Sequence, residues 1–453
     1  MGLNEFGSKL YIYIMVISLC LIGLFIILKI FKEIGIMNFN KLIRLKEKCL
    51  FGMYSAKKKL NFSKIIKLND DKKKNLRLFF SLALITLFSR LIIFLLAFIW
   101  NYYNQEIPQG FLDSFKGLWV KWDSSNYIFL AENWYVNEGE PRLYIAFYPL
   151  YPLLMRILTF VIKDSLLAGV IVSNTCIAFA SYYLYKLVNL DFDDKTSFAA
   201  VKYMLIFPFS FYFGIVFTES LFIMLSIIFF YHLRKHNWAL AGIFGFLSAT
   251  TKNQGIILFA PAVVEIIISL ELPNIRYIFS HKKRVFTNFL KRFVWTLFIP
   301  MGFGTYLCLN KVVTGSWFKF LEYQSENWNN ELAFIVDTLK YHFRYLETWD
   351  SQMYKITIWL PQLVFLFIIV VLMLYGLKKL RGSYLLYTYI YTIIIYSSTW
   401  LISGSRYVLC LFPLFILTAL VSQKNKYVDF SLTFISIIFL GYYTLAYIQN
   451  AVI

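Results

Sequence analysis

Three groups of ionisable residues stand out from an otherwise apolar chain. The first is Lys121-Trp122-Asp123-Ser124-Ser125-Asn126-Tyr127, followed by Glu132 and Glu138. A carboxylate beside Trp at an apolar boundary loses solvation, which favours proton acceptance and suits a general base for an attacking hydroxyl. The plainer alternative is a solvated loop acid beside an interfacial Trp. The second is Glu219, in Phe217-Thr218-Glu219-Ser220. An acid so close to long apolar runs is costly unless it is paired or functional. Alternatively it is an N-terminal helix charge favoured by the dipole. The third group is cationic: Lys252 in Thr250-Thr251-Lys252-Asn253-Gln254-Gly255, Arg406, and Arg156 inside an apolar run. Arg can grip a phosphate with a bidentate fork and Lys as a point charge. Snorkelling to headgroups is the competing explanation.

The elements that must position these residues are legible from composition. Of 453 residues, 59% are hydrophobic and 20% aromatic, against roughly 45–50% apolar in soluble domains. Runs of about 20 apolar residues recur along the chain, and in lipid such runs must be helical. The alternation that marks a membrane β-barrel is absent. The sequence therefore predicts an all-α, polytopic integral membrane protein. The net charge of +20 sits in alternate short loops, the positive-inside pattern, so nucleic-acid binding is set aside. Five scattered cysteines give neither a metal-ligand spacing nor a disulfide framework. The four histidines, at helix ends or in loops, read as solvated or interfacial.

Loop charge sets the topology. A first run, about 10–31, reads as a retained anchor. The segment 32–75 carries thirteen Lys/Arg against four acids and belongs in the cytoplasm, where its clusters, Lys57-Lys58-Lys59 among them, can lie on anionic lipid. After a crossing at 76–100, the loop 101–145 reverses the balance, with three basic residues against six acids, and is external. The basic segment 271–292 is a second cytoplasmic anchor. Counting back through 254–270, 238–250, 218–233 and 198–217 puts Glu219 outside and leaves an odd number of crossings before residue 198. Two apolar runs lie there, so 146–162, which holds Pro149, Pro152 and Arg156, is read as an embedded, non-spanning helix that completes an external loop at 101–167. Such backbone is tolerated at membrane depth only when buried in protein or lining a wet cavity. Asp191, Asp193 and Asp194 then fall on the basic side. Beyond 293–312 lies an external loop at 313–353, followed by crossings at 354–377, 383–401, 406–422 and 428–448. The total is about twelve spans. Three parts follow: 1–75, an anchor plus basic loop; 76–270, the module with the first external loop; and 271–453, a C-terminal module.

The stretch from Trp122-Asp123-Ser124 to Ala146-Phe147-Tyr148-Pro149-Leu150-Tyr151-Pro152-Leu153 resembles the hallmark of PIG-V-like mannosyltransferases (the GPI mannosyltransferase 2 type). Phe207-Pro208-Phe209-Ser210 with Phe217-Thr218-Glu219-Ser220-Leu221-Phe222 is similar to that family's second block. The similarity covers about 80–265, with echoes at Ser405-Arg406-Tyr407 and Phe412-Pro413-Leu414-Phe415. Lys252-Asn253-Gln254 departs from the Arg-Pro-Thr/Gln common in relatives. The resemblance implies a GT-C-type membrane glycosyltransferase, inverting, with an embedded helix in its first external loop. Its substrates would be a polyprenyl- or dolichyl-phosphate sugar and a lipid-linked or glycan acceptor. It implies Asp123 as the loop acid and Glu219 as the acid of the second external turn. Trp122, Tyr148, Tyr151, Lys252, Arg406 and Arg156 are the accompanying substrate-binding candidates. A divalent metal is neither required nor excluded. The active site would face outward, from a prokaryotic plasma membrane or into the lumen of the endoplasmic reticulum. The rival readings are a glycolipid transporter, for which paired midplane charges and pseudo-symmetric halves are lacking in the sequence, and a non-catalytic scaffold subunit.

Overall fold

The computed structural model describes residues 3–34, 62–104, 111–271 and 280–452. Among these residues every regular element is a helix, and extended pairing is limited to an isolated antiparallel bridge between Leu332 and Ser398. Most of the predicted basic loop 32–75, including Lys57-Lys58-Lys59, lies outside the described residues, as do 272–279 of the second basic segment.

Six described helices are long and apolar enough to cross a membrane: Gly7–Ile34, Lys72–Asn104, Ser165–Val188, Lys282–Thr314, Gln352–Gly376 and Lys426–Ile448. Several keep large apolar side chains exposed, such as Leu84, Phe88, Leu91 and Leu95 on Lys72–Asn104, which fits a hydrocarbon surround better than water. The N-terminal helix packs on Gly382–Ile395, Ile335–Thr348 and Leu360–Gly376, deep in the C-terminal half.

The remaining apolar runs are shorter or broken. Glu140–Ala146 and Leu150–Ile162 are bent by 115° across Pro149, either a broken span or a re-entrant pair. The expected span 198–217 is not one helix. Asp194–Leu205 stops before Phe207-Pro208, and a tight 3-10 turn, Ser210–Gly214, follows. A residue ahead of proline is driven out of helical backbone, and the proline has no N–H to continue the ladder. Likewise Gly404–Val408 and Phe412–Ser422 are separate pieces around Pro413. Trp238–Ala249 ends at a sharp turn into Asn253–Leu258. A Cβ on Gly255 would overlap the Ser248 carbonyl oxygen and the Ala249 nitrogen, so only glycine fits there. At 1.5 Å per residue, twelve residues reach about 18 Å, well short of a hydrocarbon core of about 30 Å.

Three further expectations are revised. The segment 282–292 is not loop but the start of helix Lys282–Thr296, which runs on into Phe298–Thr314. The stretch 313–353 is a folded cap, with helices Lys319–Trp328 and Ile335–Thr348. It is tied to 397–399 by Ala333 N to Ser397 O (3.1 Å) and Thr399 N to Glu331 O (2.9 Å). Nor is every histidine solvated. His342 is fully buried in the cap, its ring nitrogens facing Thr338 O at 2.6 Å and Leu401 O at 3.1 Å. Burial pushes its imidazole down to about 4, against the pull of those carbonyls.

The acids on the basic side have partners. Arg234, at the far end of Glu219–Arg234, donates to both oxygens of Asp191. Asp193 caps its helix by accepting from Thr196 N. Tyr185 and Asn189 donate to Asp194 at 2.6 and 2.7 Å and hold its carboxyl below the ordinary range. Arg381 grips Glu265 bidentately, both bonds 2.9 Å.

Candidate active site

The helix breaks converge on one cavity of about 1010 Å³. Chain that leaves a helix frees backbone polar groups, so such breaks are tolerated at depth only where protein groups satisfy them or where they line a wet cavity. Each break delivers an ionisable side chain. Asp123 opens the helix Asp123–Asn133, and Glu219 opens Glu219–Arg234. Lys252 precedes the 253–258 turn, and Arg406 sits in the short Gly404–Val408 helix.

The four side chains form an alternating chain of charge. Arg406 Nη1 donates to Asp123 Oδ2 at 2.8 Å. Arg406 Nε lies 3.4 Å from Glu219 Oε1, and Lys252 Nζ donates to that same oxygen at 2.6 Å. Glu219 is 1% exposed at its side chain, Arg406 7% and Lys252 12%, whereas Asp123 is 25% exposed. Asp123 is thus the more open of the two carboxylates. The cations also rest on rings. The Arg406 guanidinium lies 5.0 Å from the Phe217 ring and 5.2 Å from that of Tyr407, which Lys252 also faces at 4.9 Å. Desolvated cation–π contacts of this kind hold a guanidinium in place without using its hydrogen-bonding edges.

Trp122 leads into the site with φ of 53°. Positive φ is strained for a bulky residue, and strain of this kind concentrates at functional positions. It leaves the Trp122 ring on the cavity wall, where Tyr148 also stands.

Two expected substrate contacts lie elsewhere. Tyr151 sits behind the wall, its hydroxyl 2.8 Å from Ser173 Oγ and its ring against Tyr127. Arg156 faces the C-terminal end of Asp123–Asn133, donating to Ala131 O at 3.2 Å and Glu132 O at 3.1 Å. A cation there satisfies orphan carbonyls and complements the helix dipole, so Arg156 fixes the helix that carries Asp123 rather than a ligand. The turn of the bent pair between 146 and 150 carries Tyr148 to the cavity but turns the Leu150–Ile162 helix, with both residues, away from it.

Sequence reasoning missed Arg90. It lies inside Lys72–Asn104, 2% exposed, and donates to Leu205 O at 2.6 Å and to Ser210 O. It thus satisfies carbonyls freed at the Pro208 break, and so supports the strand of chain that leads to Glu219. The signal was present as a lone Arg in an apolar run, a costly placement without a partner. Gln254 and Tyr407 also line the cavity, and neither type was distinctive in the sequence.

Among the described residues no three His, Cys, Asp or Glu side chains are grouped so that they could hold a metal ion. A divalent ion at this site would draw on Asp123 and Glu219 and would compete for them with Arg406 and Lys252. No protein-family model matches the chain, and no match to a characterised protein is found.

Proposed function

We propose that this protein is an inverting membrane glycosyltransferase. It would move a hexose such as mannose from a polyprenyl- or dolichyl-phosphate donor to a lipid-linked or glycan acceptor on the external face. The observation that carries this reading is the arrangement of Asp123, Arg406, Glu219 and Lys252 around one cavity, on the residues that resemble the PIG-V-like motifs. A GT-C-type architecture of about twelve crossings accommodates it if each short apolar helix completes its crossing together with the broken chain beside it. The 140–162 bent pair then serves as the embedded helix of the first external loop.

In the reaction the acceptor oxygen bonds to the anomeric carbon while the bond from that carbon to the phosphate oxygen breaks. The bonding pair leaves with the phosphate, and the acceptor proton passes to Asp123. Arg406 and Lys252 stabilise the charge that grows on the departing phosphate, an electrostatic contribution delivered by preorganised groups. For this to happen the Arg406 fork must turn from Asp123 to the phosphate. The exchange leaves a free carboxylate oxygen, ready to accept a proton, beside the acceptor. Glu219 keeps Lys252 and Arg406 in register and orients the donor sugar.

The test is turnover of labelled polyprenyl-phosphate mannose by purified protein supplied with a membrane lipid extract, comparing wild type with Asp123→Asn at equal expression. Label that moves to a new lipid or glycan only with wild type supports the reading. Protein that binds no polyprenyl phosphate and transfers no label would abolish it.

A further inference from the structure

The helix breaks bring Asp123 and Arg406 to the cavity, and a remote helix sets their register. Asp123 is reached through 120–122, a stretch between the helices Phe111–Trp119 and Asp123–Asn133 that contains the positive φ of Trp122. Such backbone persists only when its surroundings over-determine it. The surroundings here come from helix Lys426–Ile448. Lys121 Nζ donates to Ile448 O, where a helix leaves carbonyls unpaired and its dipole favours a cation. Tyr447, fully buried, stacks on Trp119 with ring centroids 6.0 Å apart and donates to Trp119 O at 3.4 Å.

The same tyrosine reaches the other side of the ion pair. Its ring meets Tyr212 edge to face at 5.5 Å and lies 5.2 Å from Phe211. Tyr212 in turn packs on Phe217, centroids 5.0 Å apart, and the Arg406 guanidinium faces both rings, at 5.7 and 5.0 Å. Tyr447 therefore touches the segment that leads to Asp123 and a ring that Arg406 faces. The helix end is itself tied down: Ala451 N donates to Ala446 O at 2.8 Å, and Thr357 donates to Ala451 O. In a close-packed interior a displaced ring moves its neighbours. A change at Tyr447 is thus felt on both sides of the 2.8 Å bond from Arg406 to Asp123. Neither Tyr447 nor Lys121 lines the cavity, so both act through other residues.

We propose that Lys121 and Tyr447 are positioning residues, and that the end of helix Lys426–Ile448 is the seat on which Asp123 is held against Arg406. The catalytic consequence of the seat rests on the glycosyltransferase reading; its effect on the ion pair does not. When Arg406 turns to a phosphate, Lys121 keeps the Asp123 segment from following it. The reacting groups then stay within the narrow geometry in which proximity accelerates a step.

Two measurements on detergent-purified protein test this. The first is a melting cycle of Tyr447→Leu, Asp123→Asn and the double variant. Groups that share partners couple, whereas distant ones add, so the shift caused by Asp123→Asn should be clearly smaller once Tyr447 is replaced. Lys121→Met takes the place of Tyr447→Leu in the same cycle if the latter fails to fold. Additive shifts would overturn the seat. The second is label transfer from polyprenyl-phosphate mannose. Lys121→Met should lower kcat by up to about 10²-fold, the cost of a small misplacement, with donor KM within about twofold. Lys121→Arg, which restores a donor to Ile448 O, should recover most of that loss. A normal kcat in Lys121→Met, or an equal loss in Lys121→Arg, would remove Lys121 from the seat. Coupled melting in a wild-type protein that transfers no label would uphold the seat and overturn the glycosyltransferase reading instead.

Discussion

A single guanidinium joins two carboxylates from distant parts of the chain: Arg406 donates to Asp123 at 2.8 Å and holds its Nε 3.4 Å from Glu219. Asp123 is therefore not a free base in the resting protein. It competes with any incoming anion for Arg406, and that competition has a measurable consequence.

Asp123→Asn should reduce turnover by about 10²–10⁴-fold, the usual cost of removing a general base. It should also tighten binding of bare polyprenyl phosphate several-fold, because an amide releases Arg406 to the phosphate. Glu132→Gln and Glu138→Gln should stay near wild type, since Glu132 accepts from Ser165 and neither residue lines the cavity. Paired turnover and binding measurements check this. If Asp123→Asn transfers normally while a Glu132 or Glu138 variant is dead, the base is a different carboxylate.

Arg406→Lys should weaken donor binding by on the order of tenfold or more, the scale of a hydrogen bond to a charged group. A lysine cannot span Asp123 and Glu219 or present a fork to phosphate. Donor titrations provide the measure, and unchanged affinity would reduce Arg406 to a structural tie.

Glu219→Gln leaves Lys252 buried beside a neutral amide. Breaking one side of a buried ion pair costs about 3–5 kcal/mol, which should appear as a clear drop in melting temperature in detergent. Adding Lys252→Met removes the stranded charge and should recover much of that loss without restoring activity. Equal melting of Glu219→Gln and wild type would show that the pair is solvated.

The cap should sense acid through His342. Its imidazole is pushed down to about 4, from about 6.5 in an unfolded chain. The folded state thus binds fewer protons than the unfolded one across that window. Stability is complete above about pH 6.5 and falls as pH drops toward 4, by at most about 3 kcal/mol. Melting of wild type and His342→Gln against pH checks this, and the slope below pH 6.5 should be shallower in the variant.

Single cysteines at 164 and 337 should react with impermeant reagents from the outside, and one at 235 only from the cytoplasm, in a background without Cys49 and without Cys20 and Cys308, which are exposed. Labelling of 164 from the cytoplasm alone would remove the embedded-helix topology.

The helical class, the lipid-facing runs and the identity of the charged residues were legible in the sequence because they depend on local chemistry. A run of apolar residues must satisfy its own backbone, whatever surrounds it, and Asp123, Glu219, Lys252 and Arg406 each look expensive where they stand. The breaks at Pro208 and Pro413 were not among these, since both prolines lie inside the crossings expected at 198–217 and 406–422. What hydropathy could not supply was where each helix ends, since it averages over a window while a break is a matter of single hydrogen bonds. The Pro208 break is supported by Arg90, far away in the chain, and the turn after Ala249 by the absence of a side chain on Gly255. Pairing was equally out of reach. Tyr148 faces the cavity and Arg156 a helix end because of one 115° bend. Arg406 meets Asp123 rather than a lipid headgroup because two broken helices bring their ends together, a long-range relation that only the tertiary structure decides.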